Sequence, residues 1–406
     1  MSDKESGFRM ISPRDKWCVH SYYSLCPYAP DGSGRILISG ADPESGRAQI
    51  YIVSAEGEIL NSFGNEIPES SFYHTGCWQT WSSDAKYVYY QGGTMKAPMI
   101  SRYEIAMGET VQMPGDMEGA PPFNEPIISG YLGMLYAAGY GDGNYYPGQA
   151  PFPFENRDEH GLFEFNLTAR TQRLRLSVND ILRAHPEREK LERAEEEYKR
   201  KTGNKEGFTL MAYCVRWNRK GDRCLFYFGN HCVSKARQEP KLCYVFTARA
   251  DLTDIRLALD LSFDKRGVHW SWHPDGEHLV GYASHPDNDN KMCLCSVRYD
   301  GSDLRMISRH GAGGHPSISP SDPCILMTDE NLSPEGRIVF IDITTDREIC
   351  AFRFPREYGD HVPYGRNPYR ICHHPVFSQD GKKVLFNILP GKNAVVCEIN
   401  APERNK

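Results

Sequence analysis

Three histidines stand at the same position of a motif that the sequence repeats. His269 begins His-Trp-Ser-Trp-His-Pro-Asp-Gly, His315 begins His-Pro-Ser-Ile-Ser-Pro-Ser-Asp, and His374 begins His-Pro-Val-Phe-Ser-Gln-Asp-Gly. Because the three units share one register, we expect the imidazoles to converge at one rim of the fold. Clustered neutral imidazoles lose solvation, and a divalent transition metal bound through nitrogen compensates that loss. The spacing therefore predicts a metal site on His269, His315 and His374.

The motif itself describes a strand, a polar turn and a second strand. Fainter copies of it begin near Leu25, Trp78, Glu125 and Cys214. With the three histidine units this makes seven repeats, most of them spaced about 45 to 55 residues apart as in propeller blades. The sequence predicts an all-β, seven-bladed β-propeller, formed as a single domain by residues 1–406, with Phe8 to Ile11 as the outer strand of the last blade.

One segment interrupts the strand pattern. Residues 178–201 are dense in Glu, Lys, Arg and Ala, which are strong helix formers. We expect a solvated helical insertion between blades three and four.

The rim that carries the histidines also receives the loops that follow the second strand of each blade. Cationic, aromatic and amide side chains on this face suit a small anionic ligand. The predicted ligand-binding residues are Gln79, Tyr145, Lys235, Arg237, Arg366 and His373. Tyr145 belongs to a long aromatic and glycine-rich loop, a composition typical of binding loops or lids.

Composition restricts the partners and the compartment. The 406-residue chain has a net charge of -6 and no concentrated stripe of basic residues. Both features argue against nucleic acid as the main partner. No apolar run reaches membrane-spanning length, and the first residues lack the apolar region of a signal peptide. We therefore expect a cytoplasmic protein whose 13 cysteines are reduced thiols and not a disulfide framework.

The units around His269 and His374 resemble the oligogalacturonate lyase family, seven-bladed propellers that act on uronate-containing oligosaccharides. The likeness spans most of the chain and includes Gly-Val-His269-Trp-Ser-Trp-His-Pro-Asp-Gly276 and Arg370-Ile-Cys-His-His374-Pro-Val-Phe-Ser-Gln-Asp-Gly381. Two departures stand out. The earlier position of the family's double-histidine ligand motif holds Cys372, and the position of its histidine base, at the start of blade four, holds Cys214.

The resemblance implies metal-assisted β-elimination at a 4-linked uronic acid, with manganese as the cofactor and an anionic oligosaccharide as the substrate. In that interpretation Arg370 binds the carboxylate. Since Cys214 replaces the family's base, His231 or His74 is expected to remove the C5 proton.

Two other function classes stay open. Asp287, Asp329 and Glu330 on the same face keep a glycoside hydrolase possible, acting on uronate- or rhamnose-capped oligosaccharides through general acid and base carboxylates. A non-catalytic ligand- or protein-binding propeller is the third class, because the fold alone implies no activity.

Overall fold

The computed structural model describes residues 7–42, 44–65, 67, 74–94, 97–130, 154–230, 234, 238–331, 335–355 and 371–404. Within these ranges, seven antiparallel sheets follow one another along the chain, and inner strands of neighbouring sheets contact each other. This is the predicted all-β, seven-bladed propeller.

The first half of the chain forms three blades and begins the fourth. Strand β1 (Arg9–Met10) precedes blade 1. Blade 1 contains β2 (Trp17–Val19), β3 (Ile36–Asp42), β4 (Arg47–Val53) and β5 (Ile59–Phe63), and blade 2 contains β6 (Thr80–Trp81), β7 (Tyr87–Thr94), β8 (Ala97–Glu104) and β9 (Glu109–Pro114). Blade 3 contains β10 (Ile127–Gly130), β11 (Gly161–Asn166) and β12 (Thr171–Ser177), and the predicted aromatic loop with Tyr145 lies outside the described residues.

The second half completes the ring. Blade 4 contains β13 (Met211–Trp217), β14 (Arg223–Gly229), β15 (Cys243–Arg249) and β16 (Arg256–Asp260), and blade 5 contains β17 (Gly267–Trp272), β18 (His278–His285), β19 (Lys291–Arg298) and β20 (Arg305–Ser308). Blade 6 contains β21 (Ser317–Ile318), β22 (Ile325–Asn331), β23 (Glu335–Asp342) and β24 (Arg347–Pro355), and blade 7 contains β25 (Val376–Phe377), β26 (Lys383–Ile388) and β27 (Val395–Asn400).

The outer strand of blade 7 comes from the other end of the chain. β1 pairs antiparallel with β27, with Arg9 opposite Glu398 and Met10 opposite Cys397. The Arg9 guanidinium also donates to the Glu398 carboxylate at 2.5 Å. The first and last blades are thereby joined by backbone and side-chain hydrogen bonds.

The helical insertion consists of two helices instead of the continuous helix expected over 178–201. Helix α1 (Val178–Ala184) begins at a capping box in which Ser177 and Asp180 bond each other's backbone, and α2 (Arg188–Thr202) ends at Gly203. The break falls at His185, which is extended because Pro186 disfavours helical geometry in the preceding residue. Apolar residues of α1 pack with core residues of blades 3 and 4, so the insertion is only partly solvated.

Close packing within the blades is shown by Trp270 on β17, which is fully buried. A Cβ added at Gly281 on the neighbouring β18 would lie 2.5 Å from Cδ2 of Trp270. Only glycine leaves room for the indole at this crossing.

The described cysteines form no disulfide, and the Sγ atoms of Cys293 and Cys295 lie 3.6 Å apart on one face of β19. No helix in the part of the chain that the structure describes is long and apolar enough to span a membrane.

Candidate functional site

The motif position that holds a histidine in blades 5 to 7 has an unusual backbone conformation in four of the blades. Trp78, Cys214, His269 and His374 have φ values of 54°, 56°, 57° and 46°. Residues other than glycine seldom adopt this left-handed conformation. At Cys214 and His269 the strand ladder also shifts register, which marks β-bulges, and bulges re-aim side chains. The repeated distortion turns these side chains toward the propeller axis.

The predicted histidines lie together there. The ring centroids of His269 and His315 are 4.1 Å apart, and those of His315 and His374 are 4.4 Å apart. His74 extends the row, with its ring 5.2 Å from that of His374. We call His74, His269, His315 and His374 the histidine array.

Hydrogen bonds fix the tautomers of two array members. The Nδ1 of His269 lies 2.8 Å from the carbonyl oxygen of Gly314, and the Nδ1 of His315 lies 3.0 Å from Oδ1 of Asp329. Since both acceptors are oxygens, each Nδ1 carries a hydrogen, and burial lowers the pKa of His269 to about 3, so the Nε2 of that ring keeps its lone pair. A carboxylate or carbonyl behind an imidazole is the usual arrangement for orienting a metal ligand or a base.

His374 lacks such a partner. It is fully buried, and neither ring nitrogen has a hydrogen-bond partner. Burial, followed by the neighbouring imidazoles, lowers the pKa of His374 well below its ordinary value, so the ring is neutral. Unsatisfied buried polar atoms cost about 1–3 kcal/mol each. A bound cation would satisfy one nitrogen of His374, so the array fits a divalent metal.

Cys372 is a potential ligand that the sequence motif did not identify. In the described part of the chain, the group whose ligand atoms all lie within 4.8 Å of one another consists of His74, Cys372 and His374. The structure thus brings the rings of His269, His315 and His374 close together, but the described ligand atoms that lie within reach of one ion are those of His74, Cys372 and His374.

Below the array lies a layer formed by two tyrosines. The ring of Tyr22 is 4.8 Å from that of His374, and the ring of Tyr23 is 5.1 Å from that of His315. Both tyrosines are buried and belong to the segment after β2. They separate the array from a cavity of about 500 Å³ that opens toward the turns on the opposite face and is lined by residues such as Trp217 and Trp272.

Arg216 supports this tyrosine layer from blade 4. Its buried guanidinium donates to the hydroxyls of Tyr23 at 2.9 Å and Tyr22 at 3.4 Å, and to the carbonyl of Trp270. Among the described residues no carboxylate pairs with it. A buried cation without a counter-ion gives the site a positive potential. The signal in the sequence was a single arginine within the otherwise apolar inner strand β13.

Two predicted binding residues are occupied with structural contacts. Gln79 accepts from the backbone N–H of Cys77 at 3.1 Å and donates to the carbonyl of Val19 at 3.4 Å, which ties blade 2 to blade 1. The Nδ1 of His373 lies 2.7 Å from the carbonyl oxygen of Asn387. The other predicted residues, His231, Lys235, Arg237, Tyr145, Arg366 and Arg370, lie outside the described residues.

Comparison with solved structures agrees with this geometry. An oligogalacturonate lyase in complex with manganese aligns with a TM-score of 0.62 and 15% identity over 97% of this chain and 93% of its own. An oligogalacturonate lyase from Vibrio parahaemolyticus aligns with a TM-score of 0.63 and 13% identity over 99% and 95%. The chain shares the fold of the oligogalacturonate lyases. The resemblance noted from the sequence is thereby confirmed for the fold.

The same comparison also returns a chain of a mitotic checkpoint complex, with a TM-score of 0.51 and 10% identity over 97% of this chain and 94% of its own. No protein-family model matches the chain, and no curated protein matches it. At these identities the likeness establishes the fold, and the activity has to be argued from the site.

Proposed function

We propose that this protein is a carbohydrate-active lyase that cleaves uronate-containing oligosaccharides by metal-assisted β-elimination. The observation that carries the proposal is the histidine array, in which oriented imidazoles lie together in an oligogalacturonate lyase fold and burial keeps His269 and His374 neutral. Neutral histidines suit both metal binding and proton abstraction.

The substrate is an anion in this proposal. Arg216 provides a fixed positive charge beneath the tyrosine layer, and Arg370 is the proposed partner of the uronate carboxylate. A divalent cation held by the array imidazoles would withdraw charge from that carboxylate and acidify C5.

The base in the proposed reaction is His231 or His74. It accepts the C5 proton, the C–H electron pair becomes the C4–C5 double bond, and the C4–O bond breaks as the leaving oxygen takes a proton. Cys214 does not serve, because its side chain replaces the family's histidine, and its backbone N–H donates to Glu118 at 2.9 Å.

Two of the three carboxylates behind the hydrolase alternative are held in other contacts. Asp329 is fully buried on His315, and Glu330 pairs with Arg337 at 2.5 Å. Neither is placed as a solvent-facing general acid, whereas Asp287 is exposed beside His285, so a hydrolase would have to use Asp287 without Asp329 or Glu330 as its partner.

A non-catalytic binding propeller is the second candidate, and it is favoured by Cys214 at the position of the family's base. The test is to incubate the purified protein with uronate oligosaccharides and measure ultraviolet absorbance and new reducing ends, with and without a chelator. Absorbance and reducing ends should rise together and require metal. Reducing ends without the chromophore would indicate hydrolysis, and neither signal would favour a binding protein.

A further inference from the structure

We propose that the metal centre of this protein contains a thiolate, with Cys372, His374 and His74 as its protein ligands, and that it is consequently a zinc-type centre and not a manganese centre. The proposal rests on the metal requirement of the proposed function and specifies its ligands. It differs from the nitrogen-only set of His269, His315 and His374 that the sequence predicts.

The first support is proximity and burial. One ligand atom from each of the three residues lies within 4.8 Å of the other two. Ligands at about 2.0–2.3 Å from zinc are about 3.5 Å apart in a tetrahedral site, so the side chains need to close by roughly 1 Å. His74 and Cys372 are each 4% exposed and His374 is 0% exposed, which excludes competing water from the protein side of the ion.

The second support is the state of His374. It is buried with neither nitrogen hydrogen-bonded, although its neighbours in the array are held by Gly314 and Asp329. A metal ion between His374, Cys372 and His74 supplies the missing partner. Binding would release the Cys372 thiol proton to solvent as the sulfur becomes a thiolate ligand.

The third support is the way the ligands are positioned. Cys372 and His374 flank His373, and with the left-handed backbone at His374 the ligand atoms of Cys372 and His374 lie within 4.8 Å of each other. Asn387 holds this segment through three hydrogen bonds. Its side-chain amide donates to the carbonyl of Cys372 at 3.1 Å, its backbone N–H donates to the carbonyl of His373 at 2.9 Å, and its own carbonyl oxygen accepts from the Nδ1 of His373 at 2.7 Å. Its Oδ1 accepts from the backbone N–H of His20 at 3.0 Å. Asn387 is therefore a positioning residue behind the two ligands.

The donor set determines which ion is preferred. Manganese is suited by carboxylate, carbonyl and water oxygens, whereas thiolate and imidazole suit zinc and related softer ions. With His74 bound to the ion, the base of the proposed elimination is His231. His269 and His315 remain as oriented imidazoles beside the ion, where they can contact the substrate.

Cobalt provides a direct test, because Co²⁺ replaces zinc and a thiolate ligand produces a strong near-ultraviolet charge-transfer band. The metal-free protein is titrated with Co²⁺ and its absorption spectrum recorded. The band should develop to one equivalent, disappear in Cys372→Ser and persist in Cys214→Ser, which changes a buried cysteine at the motif position of blade 4 that His374 occupies in blade 7. Cobalt affinity in Cys372→Ser should fall by at least about 10–100-fold.

Cobalt binding without the band, or a band unchanged by Cys372→Ser, would overturn the proposal, as would a folded protein that binds no cobalt. If Cys372→Ser does not fold, zinc-edge X-ray absorption of the wild-type protein decides instead. One sulfur at about 2.3 Å with nitrogens at about 2.0–2.1 Å is expected, and a shell of only nitrogen and oxygen contradicts the proposal. Uronate cleavage by a protein whose metal shell lacks sulfur would preserve the proposed function and refute only this ligand set.

Discussion

The buried carboxylate of Asp329 holds His315 at two points. Its Oδ1 accepts from the backbone N–H of His315 at 2.6 Å and lies 3.0 Å from the imidazole Nδ1 of the same residue. Burial by itself would raise the pKa of Asp329, but the charge and hydrogen bonds of His315 outweigh it and lower that pKa. One carboxylate thus fixes both the backbone and the ring of an array histidine.

Asp329→Asn should consequently destabilise the protein and disorder His315. The amide carries no charge and presents only one oxygen, so we expect unfolding free energy to fall by about 2–4 kcal/mol. Denaturant unfolding measures the loss. Asp251→Asn is the control, since Asp251 is exposed on a turn where it accepts from Thr253, and it should change stability by less than about 1 kcal/mol. Equal effects in the two variants would contradict a special role for Asp329.

Arg216→Gln should weaken binding of anionic oligosaccharides by about 2–4 kcal/mol, because it removes the buried positive charge below the array. Isothermal titration with a uronate oligosaccharide measures the effect. Arg223→Gln is a matched control, since Arg223 is also buried but is paired with Asp254. Arg223→Gln should lower stability and keep the anion affinity within a few-fold of the wild type. If Arg223→Gln loses as much affinity as Arg216→Gln, the role assigned to Arg216 is wrong.

The buried imidazole of His20 should make the free energy of unfolding depend on pH. Burial lowers its pKa to about 3, whereas in the unfolded chain it titrates near 6.5. Below that value the unfolded chain binds a proton that the folded protein does not, so stability falls as the pH falls. Between pH 7.5 and pH 5 the contribution is about 2 kcal/mol.

The metal-free His20→Gln variant should therefore lose about 2 kcal/mol less than the wild type over this interval, as measured by denaturant unfolding at both pH values. His278→Gln, which alters a partly exposed histidine on a turn, should keep the wild-type difference. Parallel pH profiles for His20→Gln and the wild type would refute the prediction.

Gly281→Ala should destabilise blade 5 by about 1–3 kcal/mol, because the added Cβ would overlap the indole of Trp270. Thermal and denaturant unfolding measure the change. Gly391→Ala, where an added Cβ meets nothing within 4 Å, should be nearly neutral. In a Trp270→Leu background the Gly281→Ala penalty should shrink, and a penalty that stays constant would place the strain elsewhere.

The sequence predicted the blades and three members of the histidine array because both follow from register. Equivalent positions of a repeated unit meet on the axis, so His269, His315 and His374 were recognisable without coordinates. Pro186 at the break between α1 and α2 was equally visible, but the density of helix-forming residues on both sides concealed its effect.

The positions of residues that lie outside the repeated motif could not be predicted from the repeat. His20 lies before the blade 1 copy of the motif, and Cys372 precedes the blade 7 copy by two positions. Their places depend on Asn387, which bonds both segments from β26. Left-handed backbone at Trp78, Cys214, His269 and His374 was also hidden, because no glycine marks it.

The joining of β1 to β27 has a consequence for biosynthesis. Arg9 and Glu398, which bond each other, are 389 positions apart, so the first strand leaves the ribosome long before its partner exists. At roughly 5–20 residues per second, that interval lasts about 20–80 s. Throughout it the edge of the first strand remains without its partner β27, and such edges invite pairing with other chains. Newly made protein therefore carries an unpaired amino-terminal strand until translation is almost complete, and chaperones that retain this segment should act in this period.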